Sequence, residues 1–267
     1  MSTIRDIPHE IRSFHKTFEK LSYYKHDPAE VIDAFLEWVM WGFCPDQSLK
    51  WDSGKKFNEN ERQVFPKLFT EWVDVQNNQV KTDRQWFDMF GAYYEAYIAG
   101  KSRRNNKGQF FTPPHICDLM VKLQGYENGK TQQRASDPTC GSGRLLLSFH
   151  AKNPGNFVYA EDIDRTCCLM TVCNFIVHGA VGEVVHHNSL DPNSWFDGWI
   201  VNENLNSPLH QHHGIPHVRR LRKEDSHIFQ YRQHRAEQVA EQKTSAQIPE
   251  TATIPIEIKQ FSQLTLF

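Results

Sequence analysis

Two stretches of this chain gather residue types that can hold a small ligand. One is Asp137-Pro138-Thr139-Cys140-Gly141-Ser142-Gly143-Arg144, which runs straight into Leu145-Leu146-Leu147. Two glycines around a small residue allow a sharp bend and let a ligand approach with no Cβ in the way. The apolar run after the bend predicts a helix, and the first amides of a helix are unpaired and point at whatever sits before it. Asp137, just ahead of the bend, offers a carboxylate to a cationic group on that ligand. The other stretch, upstream, is Gly108-Gln109-Phe110-Phe111-Thr112-Pro113-Pro114. Further along, Tyr159-Ala160-Glu161-Asp162-Ile163-Asp164 places acids at the end of a predicted strand, where a nucleotide-binding sheet accepts hydrogen bonds from both ribose hydroxyls. Glu161 and Asp162 both stand at that point. Asn188 and Asn202 each follow a later predicted strand and carry an amide oxygen that can accept from an amino group.

The order Gly-Gln-Phe-Phe-Thr-Pro, then Asp-Pro-x-Cys-Gly-Ser-Gly, resembles the adenine-specific DNA methyltransferases of the type I modification-subunit kind, from about Asp88 to about Asn202. The resemblance implies an α/β fold with a Rossmann-like sheet and S-adenosylmethionine as the methyl donor. Phe111, Thr112 and Pro113 would cover the donor. Asp137 would face its methionine ammonium, with Thr139, Gly141 and Gly143 forming the loop beneath. Asp162, standing before Ile163, would take the ribose, and Asn188 would meet the adenine amino group of the donor where the family has an acid. An amide oxygen is a weaker acceptor there than a carboxylate.

At the end of the fourth strand, enzymes of this kind carry Asn-Pro-Pro followed by Tyr or Phe. The Asn and a proline carbonyl hold the target amino group, and the aromatic stacks on the flipped base. This chain has Asn202-Glu203-Asn204-Leu205-Asn206-Ser207-Pro208. Asn202 is in register as the remaining catalytic candidate, but no proline pair or aromatic follows it. The expected activity is methyl transfer to adenine in DNA. The alternative is a catalytically impaired module that binds DNA, the replication sliding clamp, or both.

The elements that must position these residues follow from spacing. Residues 1–105 read as helical: Phe14, Phe18, Leu21 and Tyr24, then Val31, Ala34, Phe35, Trp38 and Val39, recur at threes and fours. Asp27-Pro28 is a helix start. Further helices are expected over Val64 to Val75 and from about Gln85 to Ile98, their aromatics serving as core. A methyltransferase-like domain is expected over 106–206. It has helices at Pro114 to Leu123, from Leu145, and at Arg165 to His178. Its strands are expected at Arg134–Asp137, Phe157–Ala160, Val184–His187 and Trp199–Val201. Strands alternating with helices imply a mostly parallel sheet, with ligands beyond the carboxyl ends of its strands. After Asn202 the alternation stops, leaving a His- and Pro-containing loop and a basic helix over 207–242, then a linker-like tail over 243–267.

Net charge is −2, so any DNA contact must come from local patches. Lys101 to Lys107 is one such patch, readable as a solvated loop or as a phosphate contact. Arg219, Arg220, Arg222 and Lys223, then Arg232, His234 and Arg235, form another. Six cysteines without disulfide spacing suggest reduced, buried thiols and a cytoplasmic location. The N-terminus does not read as a signal peptide. His210, His212, His213 and His217 lack the partners of a metal site, and no metal is expected. The tail residues Gln263, Leu264, Leu266 and Phe267 resemble the peptide by which bacterial replication and repair proteins dock on the DNA polymerase sliding clamp. The alternative is a tail folded back on the domain. DNA, the clamp and a separate specificity subunit are the expected partners.

Overall fold

The computed structural model of the chain describes residues 7–22, 25–98, 111–125, 131, 133–205 and 214–245. The basic segment 101–107, the histidines at 210–213 and the tail peptide 263–267 therefore lie outside the described residues.

The N-terminal part is helical. Helix α1 (Arg12–Ser22) and α2 (Pro28–Gly42) bury the faces that the spacing marked, with Phe14, Phe18, Leu21, Val31 and Phe35 fully inside. The Asp27 carboxylate accepts from the Ala29 amide at 2.8 Å, and Pro28 opens the helix. A cap of this kind contributes about 1 kcal/mol. After the single turn α3 (Glu59–Arg62), α4 (Val64–Gln79) supplies Phe65, Leu68 and Trp72 to the same core. The helix expected from Gln85 starts later, as α5 (Met89–Tyr93), because Asp88 caps it through the Gly91 amide at 2.8 Å. It ends in a wider π turn over Tyr94–Ile98.

The sheet has five strands: β1 (Arg134–Asp137), β2 (Phe157–Asp162), β3 (Val181–His186), β4 (Asp197–Val201) and β5 (Val218–Arg220), in that spatial order. β1, β2 and β3 are parallel, with Asp137 beside Ala160 and Asp162 beside His186. Helix α6 (Pro114–Leu123) precedes β1. Helices α7 (Arg144–Lys152) and α8 (Arg165–His178) cross between the parallel strands. Stepping twice in one direction with right-handed crossovers puts both helices on one face, where α7 packs on α8 and α2 packs behind α8. One apolar core runs from Ile11 through Phe90 and Leu146 to Val218, joining the helical part to the sheet.

The sheet departs from a mostly parallel arrangement at β4, which pairs antiparallel to β3, with Val201 beside Gly182 and Asp197 beside His186. Residues 187–196 are too few for a parallel crossover, which needs a dozen or more residues, so the chain returns the other way. β5, which the spacing did not reveal, continues antiparallel along β4. Among the described residues, the opposite face carries α9 alone (His227–Ser245), held where Glu183 accepts from the Ser226 hydroxyl and the His227 amide, both at 3.0 Å. No helix of the described residues is long and apolar enough to cross a membrane.

Candidate functional site

The glycine turn lies at the carboxyl ends of β1 and β2. Cys140 donates its amide to the Glu161 carbonyl at 2.8 Å, tying the turn across the two strands. Gly141 has φ +56, and its amide donates to Asp162 Oδ2 at 2.9 Å. A Cβ at Gly141 would come within 2.8 Å of the Phe111 ring, so only glycine lets that ring lie against the turn. Gly143, φ +86, begins α7, and a Cβ there would press on Thr171 of α8. Gly143 is thus a packing glycine and not part of the pocket wall expected of it.

A cavity of about 170 Å³ sits over this turn, lined by Phe111, Thr112, Asp137, Thr139, Gly141 and Asp162, with Cys140, Ser142, Arg144, Leu145 and Cys167 completing the wall. Six of the residues singled out by the motifs therefore meet at one cavity. Pro113 caps the start of α6 outside it, and Ile163 stands exposed beside it. Asn188 lies at the end of β3, where its Oδ1 accepts from the Leu190 amide at 3.1 Å, so its amide oxygen is already used within its own loop. The pleat separates the two rival acids. Asp162 faces the cavity, whereas Glu161 is buried and accepts from His187 Nε2 at 2.7 Å and from Arg232 Nε at 2.6 Å.

Burial raises the pKa of Asp137, with some relief from the Thr139 amide and further upward pressure from Asp162 and Glu161. Burial likewise raises the pKa of Asp162, against the Asp164 and Gly141 amides that favour its charge. Neither acid has an ion-pair partner among the described residues. Two carboxylates that resist ionisation around one cavity favour a ligand that brings positive charge.

A second set of residues, not marked by motif spacing, holds the cover in place. Asp88 is buried and accepts from Arg144 Nε and the Ser142 hydroxyl, both at 2.6 Å, and from Asn174 Nδ2 at 2.8 Å. Arg144 reaches Glu95 at 2.8 Å and donates to the Thr112 carbonyl at 3.3 Å; its guanidinium lies 5.3 Å from the Phe111 ring centre. Glu95 in turn accepts from the Phe111 amide at 2.9 Å. Burial works against the Arg144 charge, but the Asp88 and Glu95 carboxylates outweigh it and hold its pKa above the ordinary value. The available sequence signal was the pair of acids seven residues apart on the helix before the cover, with an arginine directly after Gly143.

The catalytic expectation for Asn202 is corrected by its place. Because β4 is reversed, Asn202 follows the strand at the amino-terminal end of β1–β3, opposite the cavity. It is fully buried, with φ +55. Its Nδ2 donates to the Phe175 and Ala180 carbonyls, each at 3.0 Å, and its Oδ1 accepts from the His217 amide at 2.9 Å. Both amide protons and the amide oxygen are thus tied to the chain around α8, β3 and β5, at the end of the sheet away from the cavity. His217 is buried beside it, and no cluster suited to a metal occurs among the described residues. All six cysteines are free and buried.

Three parallel strands with a glycine turn and a strand-end acid at their carboxyl ends make a Rossmann-like sheet, the arrangement of a methyltransferase fold. Residues 85–211 match the family described as N-6 DNA methylase. The chain is 27% identical over 119 residues to the type I restriction enzyme MjaIX methylase subunit of Methanocaldococcus jannaschii, covering 41% of this chain and 21% of that one. It is 24% identical over 168 residues to the type II restriction enzyme and methyltransferase RM.BcgI of Heyndrickxia coagulans, covering 57% of this chain and 26% of that one. These matches thus span about a fifth to a quarter of each relative's length. No solved structure matches.

Proposed function

We propose that the chain binds S-adenosylmethionine at the cavity under Phe111 and Thr112 and serves methylation of the adenine amino group in DNA. The observation that carries this reading is the pair Asp137 and Asp162 around one cavity, both with raised pKa and neither ion-paired among the described residues. The donor's ammonium and sulfonium bring the charge these acids favour. Asp137 would take the ammonium, Asp162 the ribose hydroxyls, and the Gly141 backbone would allow close approach. The cavity is below the ~300 Å³ at which small-molecule sites usually begin. Part of the donor would therefore extend beyond it, toward the exposed Ile163 that follows Asp162 in sequence. When bound, the donor supplies a methyl group carried on positively charged sulfur. The chain's own work is to orient it and keep the Phe111 cover over it. A separate specificity subunit would be the partner that directs such a module to its sequence.

The position of Asn202 favours a second reading, in which the donor is held but this chain alone does not complete the acceptor side. One experiment separates the two: mix the full chain, labelled donor and adenine-containing DNA, and follow both donor heat and label in DNA. Label in DNA supports transfer by this chain. Heat without label supports donor binding alone, and no heat removes both readings.

A further inference from the structure

Among the described residues, the sheet face opposite α7 and α8 is only partly covered. Between β1, β2 and α9 runs a groove of about 1080 Å³, far larger than the cavity over the glycine turn. The alternation of β1 turns Arg134 and Ser136 toward the groove. A sheet face meant to receive a packed helix must be apolar, and a strand presenting Arg and Ser is not. The floor is aromatic instead. Tyr159 lies 4.9 Å ring to ring from Phe157, with the His227 ring 6.4 Å from Tyr159 in an edge-on approach. Across from it, Tyr231 of α9 is 65% exposed and lines the same groove.

The charge on the walls has one sign to spare. Glu161 is the acid among the lining residues, and it is consumed by Arg232 and His187. Arg134 and Arg235 are exposed on opposite walls and make no ion pair among the described residues. Free arginines flanking one exposed and one half-buried aromatic ring are what an unpaired polynucleotide strand can use, with phosphates on the cations and bases against the rings. A duplex, whose bases are stacked inside, could not use the tyrosines. At one end the groove reaches Pro138 and Ser189, the neighbours of Asp137 and Asn188 at the carboxyl end of the sheet.

We propose that this groove between the sheet and α9 binds a single DNA strand, with phosphates on Arg134 and Arg235 and bases against Tyr159 and Tyr231. The choice of DNA rests on the methylase reading above. The groove would lead an unpaired segment of the target strand toward the donor cavity.

The test is fluorescence anisotropy of the full chain with a labelled single-stranded DNA oligomer over a range of salt, alongside calorimetry with S-adenosylmethionine. The double variant R134E/R235E should bind the strand at least tenfold more weakly, with the log–log salt slope reduced by roughly 1.4 for two lost phosphate contacts. Tyr231→Ala should weaken binding by about fivefold or more. Donor heat should be unchanged in both variants, since these residues lie outside the donor cavity. An unchanged binding curve in R134E/R235E would overturn the proposal, as would tighter binding of duplex than of single strand, or of RNA than of DNA. Strand binding without donor heat in the parent would remove the methylase reading and leave the groove; donor heat without strand binding would do the reverse.

Discussion

At the scale of single residues, Asn202 shows how one side chain can keep its place in a motif and change its work. Its left-handed φ and three hydrogen bonds make it a joint between α8, β3 and β5. Asn202→Ala leaves buried backbone groups unpaired and removes the residue type that tolerates αL. We expect a loss of roughly 3 kcal/mol or more in urea unfolding. Asn202→Gly restores the backbone freedom but not the hydrogen bonds, so it should also be destabilised, by less. Donor affinity under native conditions should be the same in both variants as in the parent. A large loss of donor affinity without loss of stability would put Asn202 back at the site. Gly141→Ala acts at the other end of the sheet. Its Cβ would meet the Phe111 ring at 2.8 Å with φ at +56, so the cover must shift. Donor titration should register at least a tenfold weakening, and an unchanged affinity would mean that Phe111 does not form the cover.

At the scale of elements, the sequence made the ends of β1, α6 and α8 legible to the residue, because turn chemistry and capping mark them. Asp164 caps α8 through the Thr166 amide at 2.9 Å, and Gly179 closes it in αL. The direction of β4 was harder to read, since five apolar-rich residues look alike in either direction. The usable sign was the length of the connection from β3, which is too short for a crossover. The Asp88–Arg144–Glu95 linkage was hard to read because Arg144 stands 56 and 49 residues from its two acids, whose spacing of seven was the one local sign.

His178, the last residue of α8, makes the acid sensitivity of this layer predictable. Its Nε2 accepts from the Phe87 amide at 3.2 Å, which anchors the segment carrying Asp88, while Nδ1 donates to the Asn174 carbonyl at 2.8 Å. Burial lowers its pKa to about 4, with the Asn174 carbonyl opposing the shift. The unfolded chain binds this proton near the ordinary value of about 6.5, and the folded chain only near 4. The contribution is therefore complete above about pH 6.5 and is lost as the pH falls toward 4, a change of roughly 3 kcal/mol. Urea midpoints at pH 7, 5.5 and 4 should fall more steeply for the parent than for His178→Asn, and parallel falls would exclude the histidine as the source.

At the scale of the whole molecule, the α/β class and the placing of the glycine turn followed from the alternation of strands and helices. The relation of the two ends of the sheet did not. The motif order suggests a donor loop and an acceptor Asn on neighbouring strands, yet the reversed β4 puts them at opposite ends. The cavity proposed for the donor is bordered by a buried ionic network of Asp88, Arg144 and Glu95. Among the described residues, Asn202 does not reach the cavity, and no aromatic follows it through Leu205.

The most direct measurement is a calorimetric titration of S-adenosylmethionine into the full chain, run in parallel on the parent and on Asp162→Asn. Asp162 faces the cavity, and its change removes the charge without changing its size. Saturable heat in the parent, with affinity at least tenfold weaker in Asp162→Asn, is the expected result. No heat in the parent, or equal affinity in the two proteins, would contradict the assignment of this cavity to the methyl donor.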